Sequence, residues 1–322
     1  MKFGIVVLNW NGKVITPRCL NSIYRGSNIP DATVVVDNAS CDGSPQVIRD
    51  QFPQVVLIEN DSNLGFAEGC NIGIRYLLQR EFDLILLLNN DAEVDTGCLY
   101  ELESAAQSYP AAAYAATIYE QVDRAKIWYS GGHINRLTLE GRHEIRLFEN
   151  SENPRPTEFI TGCCMLFRSE ALRKIGLLDE TFFAYYEDLD WCLRATATGE
   201  RLLYVPKATI YHDISHSFRR AGSDRDGFSR FVWAQKRPLV LYLTYRNRAL
   251  IARKHAVGRG HYVLLVLKHV IKAGLHAGLL LLIGQQQRAG ATMKGLYDGL
   301  IGTRSTHIAE FLPPANYSTT RW

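Results

Sequence analysis

The chain reads as an open α/β sheet with a looser, mixed second half and a helical C-terminal extension. Three observations carry this reading. Short apolar runs alternate with amphipathic segments through the first third, each run ends on Asn or Asp, and helical periodicity takes over beyond Phe228. With 322 residues, 47% of them hydrophobic and 21% charged, one large domain and an appendage can each bury a core.

The apolar runs predict strands at 3–8, 33–37, 55–59 and 84–88. Thr16-Pro17 and Ser44-Pro45 each set a capping residue before a proline, so helices are expected to open there. A third helix is expected over 66–79 and a fourth from near Thr96. After about residue 110 the strand-like stretches are shorter, at 112–118, 133–137, 142–147 and 163–167. A helix follows at 187–198, strands at 202–205 and 209–212, and then helical segments at 228–254, 261–283 and up to about 300. The expected division is one α/β domain over 1–215, in two parts at 1–110 and 111–215, followed by a basic helical region over 216–322.

Charge is divided along the chain. Residues 1–213 hold nineteen Lys and Arg against twenty-nine Asp and Glu, whereas 214–322 hold seventeen against four. An acidic front with a basic tail fits a catalytic domain joined to a segment that meets phosphate or an anionic membrane surface, and a merely solvated tail has the same composition. The apolar stretch 262–283 carries Lys268, His269, Lys272 and His276. Burying such charges at a bilayer centre costs ~2.5–3.5 kcal/mol each, which favours a helix lying in the interface over a spanning one. A buried helix in a bundle or a homodimer contact is the competing use of this segment.

The seven cysteines form no CxxC pair and are odd in number, so they read as reduced thiols in a cytoplasmic protein. The run from Met1 to Leu8 is too short for a signal peptide and reads as the first strand.

Ligands of open α/β sheets bind beyond the carboxyl ends of the strands. Four strand ends here meet polar groups: Asn9-Trp10-Asn11, Asp37-Asn38-Ala39-Ser40, Asn60-Asp61 and Asn89-Asn90-Asp91. Turn chemistry explains any one of them, but not their coincidence. A carboxylate leaving the very apolar strand at 84–88 suits a hard divalent cation that keeps positions open for phosphate oxygens. A second acidic group, Glu187-Asp188-x-Asp190, opens a helix just after Phe182-Phe183-Ala184-Tyr185-Tyr186. Aromatic neighbours would desolvate a carboxylate there and raise its basicity; the helix dipole also favours acidic residues at that place.

Six ordered stretches carry a resemblance: Val6-Val7-Leu8-Asn9-Trp10-Asn11, the run Val35 to Ser44, Asn63-x-Gly65-Phe66-Ala67-x-Gly69-x-Asn71-x-Gly73, Leu87-Leu88-Asn89-Asn90-Asp91, Thr161-Gly162-Cys163-Cys164-Met165, and Tyr186-Glu187-Asp188-x-Asp190-Trp191-x-x-Arg194. Over about residues 1–215 the chain resembles family 2 glycosyltransferases of the GT-A fold, a Rossmann-like mixed sheet flanked by helices, and within them the bacterial rhamnosyltransferase-like group. The likeness continues weakly through Tyr245-Arg246-Asn247 and 295–300.

The resemblance implies an inverting transfer of one sugar from a dTDP- or UDP-sugar, best matched by dTDP-L-rhamnose, to a glycan or polyprenyl-linked acceptor. It implies Asp188 as general base and a Mg2+ or Mn2+ ion on Asp91 and His212, with Asn89 standing where the family has its first acidic ligand. Leu8, Asn9, Asn11, Asp37, Asn38, Asn63, Gly65, Asn71, Asn90 and Asp91 would surround the donor, Asp37 accepting from the imide N–H of the base. Asn71 and the Gly65, Gly69, Gly73 series would let backbone approach the ribose and diphosphate. Gly162, Glu187, Asp190 and Trp191 would face the acceptor. UDP-hexose donors fit nearly the same motifs. The enzyme would work in the cytoplasm, at the inner face of the plasma membrane through 255–300.

Other classes fit less well. A dehydrogenase needs GxGxxG after the first strand, and Asn9-Trp10-Asn11-Gly12-Lys13 is neither that nor a nucleotidyltransferase loop. A processive synthase needs a QxxRW motif and several spanning helices. Basic and aromatic residues interleave weakly at Phe218, Arg219, Arg220, Phe228, Arg230, Phe231 and Trp233. Even so, a groove lined with carboxylates repels nucleic acid, so none is expected as a partner.

Overall fold

A computed structural model describes residues 1–147, 152–213, 237–302 and 308–311. The interleaved stretch from Phe218 to Trp233 and the expected helix start at 228 lie outside the described residues.

The first third builds β1 (Phe3–Asn9), α1 (Ile15–Arg25), β2 (Ala32–Asp37), α2 (Ser44–Gln51), β3 (Val56–Glu59), α3 (Gly65–Leu78) and β4 (Leu84–Asn89). The strands pair in parallel in the order β3-β2-β1-β4. Every residue of β1 is buried, as a central strand covered on both faces requires.

The second half adds β5 (Ala92–Val94), α4 (Cys98–Ser108), β6 (Ala113–Glu120), β7 (Ile127–Tyr129), β8 (Gly132–Asn135), β9 (Glu140–His143), β10 (Arg155–Thr157), β11 (Cys164–Arg168), α5 (Ser169–Ile175), α6 (Glu187–Ala197) and β12 (Leu202–His212). The sheet continues β4-β11-β6-β12-β10, with β11 antiparallel to both neighbours, and β8 with β9 form a separate hairpin. The two strands expected at 202–205 and 209–212 are one. Pro206 cannot donate to the ladder, and the strand absorbs it as a register shift between Val205 and Thr209.

Two expected caps are corrected. α1 begins at Ile15 with Val14 at its N-cap, and α2 is capped by Gly43 at φ 81°, so Thr16 and Ser44 lie inside their helices. Their hydroxyls turn inward to the end of β1 instead. A second correction concerns the glycine series on α3. A Cβ on Gly73 would come 2.5 Å from Val6, and one on Gly69 would strike Leu8 and lie 3.0 Å from Asn38. Spacing by four puts both on the helix face that the sheet occupies, so they serve close helix–sheet packing and face no ligand.

The C-terminal region forms α7 (Pro238–His255), α8 (Gly258–Leu282), α9 (Gln286–Ile301) and the short α10 (Ile308–Phe311). α7 and α9 pack closely because Gly295 and Gly299 lie against the carbonyls of Tyr242 and Arg246, and Tyr242 donates to buried Asp298 at 2.6 Å. α8 is long and apolar enough to cross a membrane, yet only 33% of its most apolar window is buried. Its inner side docks on the β8–β9 hairpin, with Lys268 Nζ 3.2 Å from Glu140 and His261 Nε2 3.0 Å from the Leu137 carbonyl.

Candidate active site

Parallel pairing sets the ends of β1, β2 and β4 side by side, Asn9 level with Asp37 and Leu8 level with Asn89. Asn9 is fully enclosed. Its Nδ2 donates to Asp37 Oδ1 (2.5 Å) and Ser44 Oγ (2.8 Å), while its Oδ1 accepts from Thr16 (2.5 Å). Asp37 also accepts from the Ser40 amide (2.8 Å) and hydroxyl (2.6 Å). A carboxylate has about four lone-pair sites, so Asp37 retains one for a further donor.

The neighbouring residues named from sequence are largely committed to the protein. Asn38 donates to the Gly65 carbonyl (2.8 Å) and accepts from Asn60 (2.8 Å); Asn63 Oδ1 accepts from the Gly65 amide (2.9 Å), and its Nδ2 is buried without a partner. Asn11, at φ 51°, accepts from the Cys41 amide. The Leu8 side chain packs on α3, and its backbone lies in the ladder between Val36 of β2 and Asn89 of β4. Asn71 is exchanged with Leu178, donating to its carbonyl at 2.8 Å and accepting from its amide at 3.1 Å. Asn9, Asn38 and Asn71 therefore brace the loops around the site, because at strand ends and on a helix's sheet-facing side an amide satisfies loop backbone first. Thr16, Ser40 and Ser44 complete this bracing; from sequence Thr16 and Ser44 read as helix caps and Ser40 as part of a strand end, because turn-forming Ser and Thr carry no mark of a long-range role.

Asp91 and His212 meet because β5 pairs with β12, setting His212 opposite Ala92. Asp91 Oδ1 stands 3.1 Å from His212 Nε2 but lacks a well-directed hydrogen bond, and Asn89 Oδ1 is buried without a partner. Burial opposes a charge on His212, but Cys163 and Asp91 beside it reverse the direction and hold its pKa well above the ordinary imidazole range. Trp128 walls the imidazole, ring centroids 4.9 Å apart.

Among the described residues no three His, Cys, Asp or Glu side chains gather to hold a metal by themselves. The Asp91 oxygen beside an imidazole nitrogen, with a further orphaned oxygen on Asn89 at the end of β4, nonetheless fits a hard cation that takes its remaining ligands from phosphate. Asn90, also named for the donor, donates to Thr16 at 2.9 Å and lines a crevice with Asp91, Gln121 and Asp213.

The second acidic group sits on a strained loop. Phe183, Tyr185 and Tyr186 all have positive φ, at 62°, 68° and 75°. Non-glycine residues are held so only when the surroundings over-determine them. Phe183's carbonyl caps α3, accepting from Phe66 (2.5 Å) and Ala67 (3.1 Å), and Gly65 at φ 84° leaves room where a Cβ would lie 2.6 Å from that oxygen. From the far side, Asn247 on α7 donates to the carbonyls of Phe182, Ala184 and Tyr185 at 3.0, 2.8 and 2.7 Å. Arg248 donates to the Tyr186 hydroxyl at 2.7 Å. The resemblance reaches Tyr245-Arg246-Asn247 without giving it a role; the structure makes it the clamp of this loop.

α6 then starts with Glu187 and Asp188. Asp188 is partly exposed, and its oxygens accept from the amides of Gly162 (3.0 Å) and Leu189 (2.7 Å). Burial raises its pKa, and those two bonds only partly offset the rise. Glu187 is buried with Oε2 unpartnered, and burial followed by the charge of Asp188 holds it well above the usual carboxylate range. Tyr185 feels the charges of both Glu187 and Asp91 and is pushed up to about 12, chiefly by burial.

Asp190 and Trp191 are not open to an acceptor. Asp190 is fully buried, 2.8 Å from Arg194 Nε, 2.8 Å from His255 Nε2 and 2.6 Å from Lys254 Nζ, joining α6 to α7. Trp191 is core, its Nε1 donating to the Gly176 carbonyl at 2.9 Å. At about 100° per residue Asp190 lies roughly 200° round from Asp188, on the opposite side of the helix, and Trp191 is taken into the core by its edge contact with Phe167.

The profile of glycosyl transferase family 2 matches residues 4–176. The chain belongs to this family. Among family relatives, the N-acetylglucosaminyl-diphospho-decaprenol L-rhamnosyltransferase of Mycobacterium tuberculosis is 27% identical over 225 residues, 63% of this chain and 73% of that protein. The dTDP-rhamnosyl transferase RfbF of Shigella flexneri is 26% identical over 249 residues, covering 77% and 78%. In fold the chain is similar to GalNAc-T7 with UDP, GalNAc and Mn2+, at TM-score 0.57 and 15% identity, over 66% of this chain and 43% of that one, so it spans under half of that structure's length. A mannosyltransferase from Pyrobaculum calidifontis in complex with GDP-Man and Mn2+ matches at TM-score 0.54 and 16% identity over 96% and 77%. The family 2 chain is a glycosyltransferase built on a mixed sheet flanked by helices.

Proposed function

We propose that the chain moves one sugar, L-rhamnose from dTDP-L-rhamnose, onto a hydroxyl of a lipid-linked or cell-surface glycan acceptor with inversion at the anomeric carbon. The observation that carries the reading is Asp188: a partly exposed carboxylate of raised basicity, fixed by two backbone amides on a clamped loop beside the donor-side strand ends. The printed names of the two rhamnosyltransferase relatives support the choice of sugar.

In this mechanism Asp37 accepts the imide N–H of the base, and the polar strand ends lead to the diphosphate. Asp188 takes the proton of the acceptor hydroxyl as its oxygen bonds to the anomeric carbon from the side opposite the diphosphate. The bond from that carbon to the diphosphate oxygen breaks, its electron pair leaves with the nucleoside diphosphate, and the configuration inverts. Asp91 and His212, with Asn89 beside them, would hold a divalent cation, which when bound supplies positive charge to the departing diphosphate oxygens; the Mn2+ in the two similar structures supports that assignment.

Asp188→Asn keeps shape and removes basicity. Nucleotide binding should survive while transfer, read as nucleoside diphosphate release across a panel of dTDP- and UDP-sugars, falls by roughly 10²–10⁴. Near-normal turnover in Asp188→Asn, with Glu187→Gln inactive and folded, would move the base to Glu187.

The outer side of α8 supports a contact with the inner membrane surface. Val263, Leu264, Leu267, Val270, Ile271, Leu275, Leu281 and Leu282 are all exposed, and their spacing by three and four forms one apolar stripe. Lys268 and His276 point inward to Glu140 and Tyr245, since the apolar stripe takes the outer side.

A further inference from the structure

Three cations converge where α7, α8 and the β8–β9 hairpin meet, beside the loop that carries Asp188. Arg248 spends its Nε on the Tyr186 hydroxyl, and its terminal nitrogens donate to no described group. Lys268 and Lys272, one helical turn apart on α8, lie within electrostatic reach of it; Lys268 pairs with Glu140, whereas Lys272 forms no ion pair among the described residues. Glu140 is the carboxylate whose charge reaches all three.

A solvated basic face would spread such charges into water, yet Arg248, Lys268 and Lys272 are each partly buried. Burial, then the charges of Arg248 and Lys268, lower the pKa of Lys272, and the same neighbours with burial hold His269 at about 4, so it stays neutral. Arg248 is held charged against burial by Tyr186 and Glu140, whereas Lys272 is disfavoured as a cation, and an anion placed between them would relieve it. The location of these cations restricts which anion. Arg248 grips Tyr186, two residues before Asp188, and the exposed aliphatic stripe runs along the same helix as Lys268 and Lys272.

We propose that Arg248, Lys268 and Lys272 bind the diphosphate of a lipid-linked acceptor, whose hydrocarbon chain follows the apolar side of α8 while its sugar reaches Asp188. This rests on the transferase reading above and deepens it, naming the anionic group by which the acceptor is recognised. Tyr186 then connects the two ends of the acceptor site, because the arginine that meets the phosphates also holds the residue leading into the base.

Farnesyl diphosphate is a suitable probe, titrated calorimetrically in Mg2+ with the donor site saturated with dTDP, against farnesol and inorganic pyrophosphate as partial ligands. Farnesyl diphosphate should bind more tightly than either. Lys272→Gln, at a partly exposed position with no ion pair to lose, should weaken it roughly ten- to hundredfold at an unchanged melting temperature, the effect of one charge-assisted contact, and leave farnesol unaffected. Unchanged affinity in the double variant Lys268→Gln, Lys272→Gln overturns the proposal. So does pyrophosphate binding as tightly as the prenyl compound, which marks a soluble-anion site, or farnesol binding as tightly, which marks a purely apolar one. Nucleotide-sugar hydrolysis measured on the same preparation separates the two readings: turnover without farnesyl diphosphate binding removes this proposal alone, and binding without turnover of any donor removes the transferase reading alone.

Discussion

Replacing Asn247 by Ala tests whether α7 belongs to the catalytic machinery or merely covers it. The Asn247 amide has two protons and reaches three carbonyls at 2.7–3.0 Å, so at least one proton is shared. Two hydrogen bonds of about 0.5–1.5 kcal/mol are lost. Buried carbonyls left without a donor add to this, for a total of roughly 2–4 kcal/mol. The same loop holds three left-handed residues, each strained by about 1–3 kcal/mol. With the clamp gone, the α3 amides on Phe183, the Arg248 bond to Tyr186 and the packing of Phe183 and Tyr185 against α7 are left against that strain, so the loop relaxes and Asp188 loses its aim. The expected result is a lower melting temperature together with a kcat reduced at least about tenfold, the donor KM staying near its original value. Asn247→Asp, which places a carboxylate against the same carbonyls, should be at least as damaging. A fall in melting temperature with unchanged kcat, or a rise in donor KM alone, would show that Asn247 supports the fold without aiming the base.

Asp91→Asn should weaken nucleotide binding in Mg2+ or Mn2+ toward the level seen with EDTA, as calorimetry reads; equal affinity with and without EDTA in the native chain would remove the metal assignment. Burial alone would raise Asp190, but the hydrogen bond from His255 and the charges of Arg194 and Lys254 hold it at about 2. Because its folded value lies below the unfolded one, the stability it contributes is present above about pH 4 and is lost as pH falls through 2. Asp190→Ala should cost about 3–5 kcal/mol at neutral pH and flatten that acid loss in thermal melts. Flotation with anionic liposomes should bring up the native chain, whereas Leu267→Asp with Ile271→Asp on the outer stripe of α8 should stay in solution; equal flotation of the two would assign that stripe to a protein contact.

Local pattern made the parallel half of the fold legible. Runs such as 84–88 are so apolar that only a central strand accommodates them, and strand ends carrying Asn and Asp point to a ligand edge before any contact is known. The acidic helix start after the aromatic loop was legible too, since an aromatic run followed by acidic residues is a one-dimensional feature. The direction of a side chain is not. Whether Asn9, Asn38 and Asn71 meet a ligand or brace a loop, and whether Gly69 and Gly73 face phosphate or a strand, depends on what occupies the other side. Asp190 reads as a member of the acidic group until the helix turns it onto Lys254 and His255, more than sixty residues away. Likewise the spacing of Lys268, Lys272 and His276 shows that they share a side of α8 but not which way that side faces. Only packing against Glu140 and Tyr245 decided that, because one helix offers its neighbours a single inward face, and here the aliphatic stripe was left outside.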